Sequence, residues 1–184
     1  ADKITGKLTV SITGVNGMDA KTAGERGYMS ISAEDFAALK TAAFPFKIDW
    51  LQYGDIEITH YSGYGGNVVI PSKIGRWPVT SIRRAAFGAK QLTGITIPNS
   101  VTYIGDEAFS GTDLVSVTIP NSVTYIGEGA FSATSLSSVT IPAKVELSNS
   151  SFPHAFDEFY KRNGKKAGTY VYEVTKKKEG WTMR

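Results

Sequence analysis

The residues Ile95 to Phe109, ITIPNSVTYIGDEAF, recur 22 positions later as Val117 to Phe131, VTIPNSVTYIGEGAF. A period of this length restricts the chain more than any other feature, because one such unit cannot bury its own apolar face and must stack on a neighbour. A looser copy precedes the pair. It runs from Val68-Val69-Ile70-Pro71 through Val79-Thr80-Ser81-Ile82 to Ala86-Phe87, with extra residues around Gly75-Arg76-Trp77-Pro78. A truncated copy, Val139-Thr140-Ile141-Pro142, follows, so the periodicity predicts three full turns and a partial fourth.

Within each unit the apolar residues at Leu92, Ile95 and Ile97, and their copies at Leu114, Val117 and Ile119 and at Leu136, Val139 and Ile141, alternate around a threonine. That is the period of a strand with one buried face. Pro98, Pro120 and Pro142 lack a backbone donor and should end the pairing. A second extended piece, Val101 to Ile104 and its copies, should send Val and Ile inward. Gly105 and Gly127 should then turn the chain, and Ala108-Phe109 with Ala130-Phe131 should plug the core.

The run ITIPNSVTYIGDEAFSGTDLVSVTIPNSVTYIGEGAF resembles the BspA-like leucine-rich repeats of bacterial surface and secreted proteins, over roughly Val68 to Leu147. In that family a Cys commonly follows the Phe of each unit; here Thr112 and Thr134 stand nearby, which removes a thiol without threatening the fold. The resemblance implies an exported bacterial protein, extracellular, on the cell surface or periplasmic, used for adhesion or ligand contact. It names no partner, because one fold hosts many functions.

The flanks read as caps, which a solenoid needs to cover its open edge and apolar cross-section. Residues 1–44 form an N-terminal α/β element: Ile4 to Thr13 alternates as a strand, and Ser32-Ala33-Glu34-Asp35 starts a helix that ends before Pro45. Residues 45–66 hold a hairpin of Phe46 to Trp50 and Ile56 to His60 about a Gly54-Asp55 turn, leading into repeats over 67–147. In 148–184, His154 to Asn163 is helical with Gly164 as its stop, and a terminal hairpin carries Lys176-Lys177-Lys178 in its turn. The ending FDEFYKRNGKKAGTYVYE resembles those of BspA-like proteins of spirochaetes. The predicted class is therefore β-rich α+β, a short leucine-rich-repeat solenoid with a cap at each end.

Composition narrows the chemistry. No cysteine is present, which excludes disulfides, thiolate metal sites and a cysteine nucleophile. No apolar run reaches the ~20 residues that span a bilayer. The chain opens Ala1-Asp2-Lys3 with neither Met nor a basic leader, so a removed targeting segment or a lipid anchor ahead of Ala1 stays open as an expectation. The formal charge of +3 is uneven: Lys161 to Arg184 holds eight basic residues against Glu173 and Glu179. Nucleic-acid readers usually set base-stacking aromatics into a dedicated basic face, and a surplus of this size reads first as a solvated tail, so a nucleic-acid partner is not expected.

The candidate contact residues sit at outward positions. Thr96, Thr118 and Thr140, with Ser116 and Ser138, should form a hydroxyl ladder, which serves either strand pairing or binding. Tyr103 and Tyr125 should stack as an exposed pair, and aromatic side chains are common interface anchors. Lys176, Lys177 and Lys178 are a solvated hairpin tip or an anion or glycan contact. His60 and His154 lack a partner motif for catalysis, Asp106-Glu107 and Glu128 read as a solvated acidic stripe, and no phosphate loop follows the glycines. The reading is a non-catalytic binding module that contacts a protein or glycan and takes no cofactor or metal. The alternatives are a structural spacer or assembly unit of the cell envelope and, last, a hydrolase, which would need a perturbed acidic pair in a deep pocket.

Overall fold

The computed structural model describes residues 45–51, 54–175 and 179–184. The strand expected at Ile4 to Thr13 and the helix expected from Ser32 lie outside the described residues.

The chain enters through an antiparallel hairpin, β1 (Phe46–Trp50) and β2 (Ile56–Tyr61). Then come β3 (Gly66–Val69), β4 (Lys73–Ile74) and β5 (Trp77–Ile82). The extra residues of the loose first repeat are absorbed here as a small hairpin, Lys73 opposite Pro78 and Ile74 opposite Trp77. From this point each turn contributes two short strands: β6 (Leu92–Thr96) and β7 (Tyr103–Ile104), β8 (Ser116–Thr118) and β9 (Tyr125–Ile126), β10 (Ser138–Ile141) and β11 (Glu146–Leu147). One helix, α1 (Phe156–Arg162), and a closing hairpin, β12 (Gly168–Val174) with β13 (Glu179–Met183), end the chain.

The second strand of each turn builds one long sheet in the order β1-β2-β5-β7-β9-β11. All its pairs after the hairpin are parallel, as stacked turns require. Its register places Ile58, Ile82, Ile104, Ile126 and Leu147 in one inward row, and all five are buried. The first strand of each turn builds the other side, split into β3-β6 and β13-β12-β10-β8. Between the two sides runs a column of rings: Tyr61, Phe87, Phe109, Phe131 and Phe152, with successive centroids 5.3, 5.0, 5.0 and 4.8 Å apart. The backbone keeps pace with the rings, since Phe87 N donates to Ala108 O, Phe109 N to Ala130 O and Phe131 N to Ser151 O.

The partial fourth turn expected at Val139 to Pro142 runs on to Phe152. Val145 and Leu147 take the inward places of Val123 and Ile126, and Phe152 stacks on Phe131. One residue is missing from this copy, so the offset falls from 22 to 21 after Val145, and Ser148 and Ser151 replace the Gly127 and Ala130 that mark the motif. At the other end, β2 of the hairpin occupies the place of a repeat strand, and Tyr61 begins the aromatic column. The C-terminal cap closes that column edge-on: Phe156 of α1 meets Phe152 at 66° and Trp181 of β13 at 70°.

Gly105 and Gly127 are required by close approach rather than by their dihedral angles. A Cβ at Gly105 would lie 2.7 Å from Arg84 N, and one at Gly127 would lie 2.5 Å from Asp106 N, both backbone atoms of the preceding turn. Thr112 and Thr134, standing where the family carries a thiol, each return the hydroxyl to the Phe carbonyl three residues earlier, at 2.8 Å.

Left-handed backbone also repeats with the turns. Ala85, Glu107, Gly129 and Ser150 form one such column, with φ of 53°, 54°, 60° and 52°. Only one of the four is glycine, so the fold imposes the conformation on side chains that disfavour it. Gly129→Ala is expected to lower stability by about 1 kcal/mol, whereas Ala85→Gly should leave it unchanged or raise it by less than about 1 kcal/mol. Urea midpoints check this, and equal losses in the two variants would mean that the column stores no strain.

Candidate functional site

The long sheet carries one outward row, exposed at Tyr103 and Glu146 and covered at Ser81. Ladder partners point to the same side of a sheet, and the register runs Asp49, Glu57, Ser81, Tyr103, Tyr125, Glu146 across six strands. Tyr103 and Tyr125 stack at its centre, with centroids 5.2 Å apart and planes 8° from parallel. The repeat itself causes this: identical residues 22 positions apart on parallel, in-register strands must meet face to face. Tyr103 remains 41% exposed. Partial burial pushes its phenol above the usual range, and the negative charges of Asp106, Tyr125 and Glu57 push in the same direction.

Both ends of the row are locked. Arg83 bridges Asp49 and Glu57, at 2.6 Å to each, and the Ser81 hydroxyl donates to Glu57 at 3.0 Å. Glu146 at the far end pairs with Lys165 at 2.7 Å. Holding the flanking side chains in place prepares the tyrosine edge for contact at low ordering cost. The flanks were not singled out in the sequence. Ser81 was findable, since it lies 22 residues before Tyr103, but Glu57 reaches the row only through a register shift between Ile56 and Glu57.

The hydroxyl ladder forms in two pieces. Ser116 lies beside Ser138 and Thr118 beside Thr140 in register, but Thr96 belongs to the separate β3-β6 sheet. Thr140 is also half covered by the terminal hairpin, its hydroxyl 2.9 Å from that of Thr169. The ladder's second end is therefore taken up by structure, and Thr96, Ser116 and Thr118 are the exposed members.

Lys176, Lys177 and Lys178 lie outside the described residues. The acidic residues of the repeats are engaged one by one rather than gathered: Glu107 pairs with Arg84 at 3.1 Å, and Asp106 Oδ1 accepts the Glu128 backbone N–H at 2.9 Å. His154 stacks on Tyr172, centroids 4.0 Å apart, and His60 sits in β2 opposite Lys47. Among the described residues no three His, Asp or Glu side chains gather as metal ligands, and no helix is long and apolar enough to cross a membrane. Among the described residues one carboxyl is strongly shifted: that of Asp157, in the first turn of α1, is pushed up to about 6 by burial.

The profile of the BspA type leucine rich repeat region matches residues 79–163 in 6 copies. Residues 79–163 are similar to the BspA type leucine rich repeat family. Leucine-rich repeat proteins of this kind are generally protein-interaction modules, and the BspA type is associated with bacterial surface proteins. No curated protein matches the chain. Among solved structures, a leucine-rich repeat protein from Eubacterium ventriosum is 29% identical over 50% of this chain and 27% of its own, with a TM-score of 0.38. The T. pallidum leucine-rich repeat protein is 22% identical over 65% of this chain and 93% of its own, with a TM-score of 0.35. One from Bacteroides capillosus is 22% identical over 57% and 95%, with a TM-score of 0.35. This chain thus spans 27% of the length of the Eubacterium ventriosum protein.

Proposed function

We propose that the chain is a non-catalytic binding module of an exported bacterial protein, and that it contacts a protein partner through the tyrosine row of its long sheet. The observation that carries this reading is the exposed Tyr103–Tyr125 stack, fixed between two ion-paired ends. Stacking hides one face of each of the two rings from a sugar or a cation. Their edges and hydroxyls stay outward, which suits a protein surface offering both apolar and hydrogen-bonding groups. The family's general use in protein interaction and its association with bacterial surfaces support the same reading.

The test is a partner screen against matrix proteins and bacterial-surface proteins, repeated with Tyr103→Ala/Tyr125→Ala. A partner should be lost by at least tenfold in the double variant, with the urea midpoint shifted only slightly, since the pair lies outside the core. A partner that binds both forms equally, or no partner at all, would remove the tyrosine row from consideration.

A further inference from the structure

Each turn of the solenoid has three parts: a first strand, a second strand on the long sheet, and a ring in the aromatic column. β3, β5 and Phe87 make one such set, followed by β6, β7 and Phe109, by β8, β9 and Phe131, and by β10, β11 and Phe152. The turn before them differs. β2 is its second strand and Tyr61 its ring, stacked on Phe87 at 5.3 Å, but among the described residues β3 pairs with β6 alone and no first strand lies on its other side. The column is closed only in part at this end, where Phe46, 5.5 Å from Tyr61 and 6.2 Å from Phe87, is partly buried.

The outer edge of β3 is open to pairing. Ile70 N donates to Thr96 O at 3.0 Å, and Gly66 N to Gln91 O at 2.8 Å. Successive residues of a strand direct their backbone groups to opposite sides, so the N–H and C=O of Asn67 and Val69 face away from β6. Both residues are exposed, Val69 by 67%. Proteins blunt an open edge with charge. The strands that end the other sheets follow that rule, with Lys47 and Asp49 on β1, Glu146 on β11 and Glu179 on β13. Gly66-Asn67-Val68-Val69 carries no charge at all.

The existing first strands define what fits there. Their ladders with one another are parallel, and each sets an outward Val or Thr between two inward apolar residues: Val68-Val69-Ile70, Ile95-Thr96-Ile97, Val117-Thr118-Ile119 and Val139-Thr140-Ile141. Outside the described residues, Leu8-Thr9-Val10-Ser11-Ile12-Thr13 has the same order, with Val10-Ser11-Ile12 matching those triplets and no charge among the six. It precedes β2 in the chain, as every first strand precedes its second. A parallel crossover takes about a dozen residues or more, and residues 14–44 supply them. The connection also arrives at the right place: Pro45 O accepts from Ser62 N at 2.9 Å, in the segment that leads directly into β3.

We propose that Leu8 to Thr13 is the first strand of the turn that β2 and Tyr61 belong to, adding in parallel to the open edge of β3 with Ser11 beside Val69. Val10 and Ile12 then turn inward over the end of the aromatic column, and residues 1–44 close the solenoid rather than form a separate unit.

The test uses the whole chain. The Asn67 and Val69 amides should be protected from hydrogen exchange, and Val10→Asp/Ile12→Asp should speed their exchange by about tenfold or more. The Ile119 amide, bonded to Thr140 O at 2.8 Å in a closed ladder, should be unaffected and reports that the repeats remain folded. Because the chain has no cysteine, engineered thiols give a second readout. Ser11→Cys/Val69→Cys should be joined within one chain by a short dithiol cross-linker, whereas Ser11→Cys/Thr118→Cys, with the second thiol two turns further on, should not. Tyr103→Ala/Tyr125→Ala should alter neither readout, which keeps this test apart from the protein-binding reading. Fast exchange of Asn67 and Val69 in the natural chain, or equal cross-linking of the two pairs, would overturn the proposal. So would cross-linked dimers, or protection that survives Val10→Asp/Ile12→Asp and fades on dilution, either of which would assign the edge to a second copy of the chain.

Discussion

Phe109→Ala is expected to cost about 3–5 kcal/mol of stability, the range for removing a fully buried ring from a core that cannot collapse onto the gap. Phe109 is 0% exposed and stacks at 5.0 Å on Phe87 and at 5.0 Å on Phe131. In a solenoid each turn touches only its neighbours, so the joint between turns holds the array together. A ring that belongs to two joints is the most sensitive place to cut it. Domains of ordinary stability have only about 5–15 kcal/mol in all, so the variant should lose about a fifth of that or more and unfold at much lower urea. Phe109→Leu, which keeps most of the volume, should lose less than about 1.5 kcal/mol. Tyr103→Ala, removing an exposed ring with a similar stacking partner, should lose less than about 1 kcal/mol. Losses of equal size at Phe109 and Tyr103 would show that the inner column is not what couples the turns.

Much of this architecture is legible in the residues because the repeat states it twice. Once ITIPNSVTYIGDEAF is aligned with VTIPNSVTYIGEGAF, the inward and outward positions of both strands follow, and so does the meeting of Tyr103 with Tyr125. What escaped notice lies where the copies diverge. The fourth turn hides because one deleted residue and the loss of its Gly and Ala markers conceal Phe152's descent from the phenylalanine column. Glycine at 105 and 127 suggests a turn, yet the physical demand is the backbone of the previous turn within 2.7 Å of the missing Cβ. The break between β6 and β8 is least visible of all. Thr96, Thr118 and Thr140 are the same residue at the same place, and nothing in their local sequence marks which pair of turns is left unladdered. The tyrosine row was half legible for a similar reason: its centre repeats, while Asp49, Glu57 and Glu146 arrive from the caps and through shifted registers.

Asp157 supplies the second large effect, and its sign depends on pH. Through the array, each Phe N–H donates to a carbonyl of the following turn, ending with Phe131 N to Ser151 O at 2.7 Å. Phe152 has no following turn. The Asp157 carboxylate, in the first turn of α1, takes that place by accepting from the backbone of Phe152 and Ser151, while its Oδ1 is buried without a partner. Asp157→Ala should therefore leave buried N–H groups unsatisfied and cost about 1–3 kcal/mol. Burial outweighs those hydrogen bonds and the nearby Lys161, so the folded carboxyl ionises only at about 6, against 3.8 for the free group. A folded state that holds the proton more tightly than the unfolded chain is favoured by acid. The contribution of this group is full below about pH 4, declines as the pH rises through about 6, and is lost above it. Other carboxyls titrate in the same window, so the quantity to measure is the stability difference between the natural chain and Asp157→Asn, which keeps an oxygen acceptor and cannot ionise. The natural chain should gain on the variant as the pH is lowered from 7 to 4. A difference that stays flat across that interval would show that Asp157 ionises in the folded chain as it does in water, and that the end of the phenylalanine column is solvated rather than sealed.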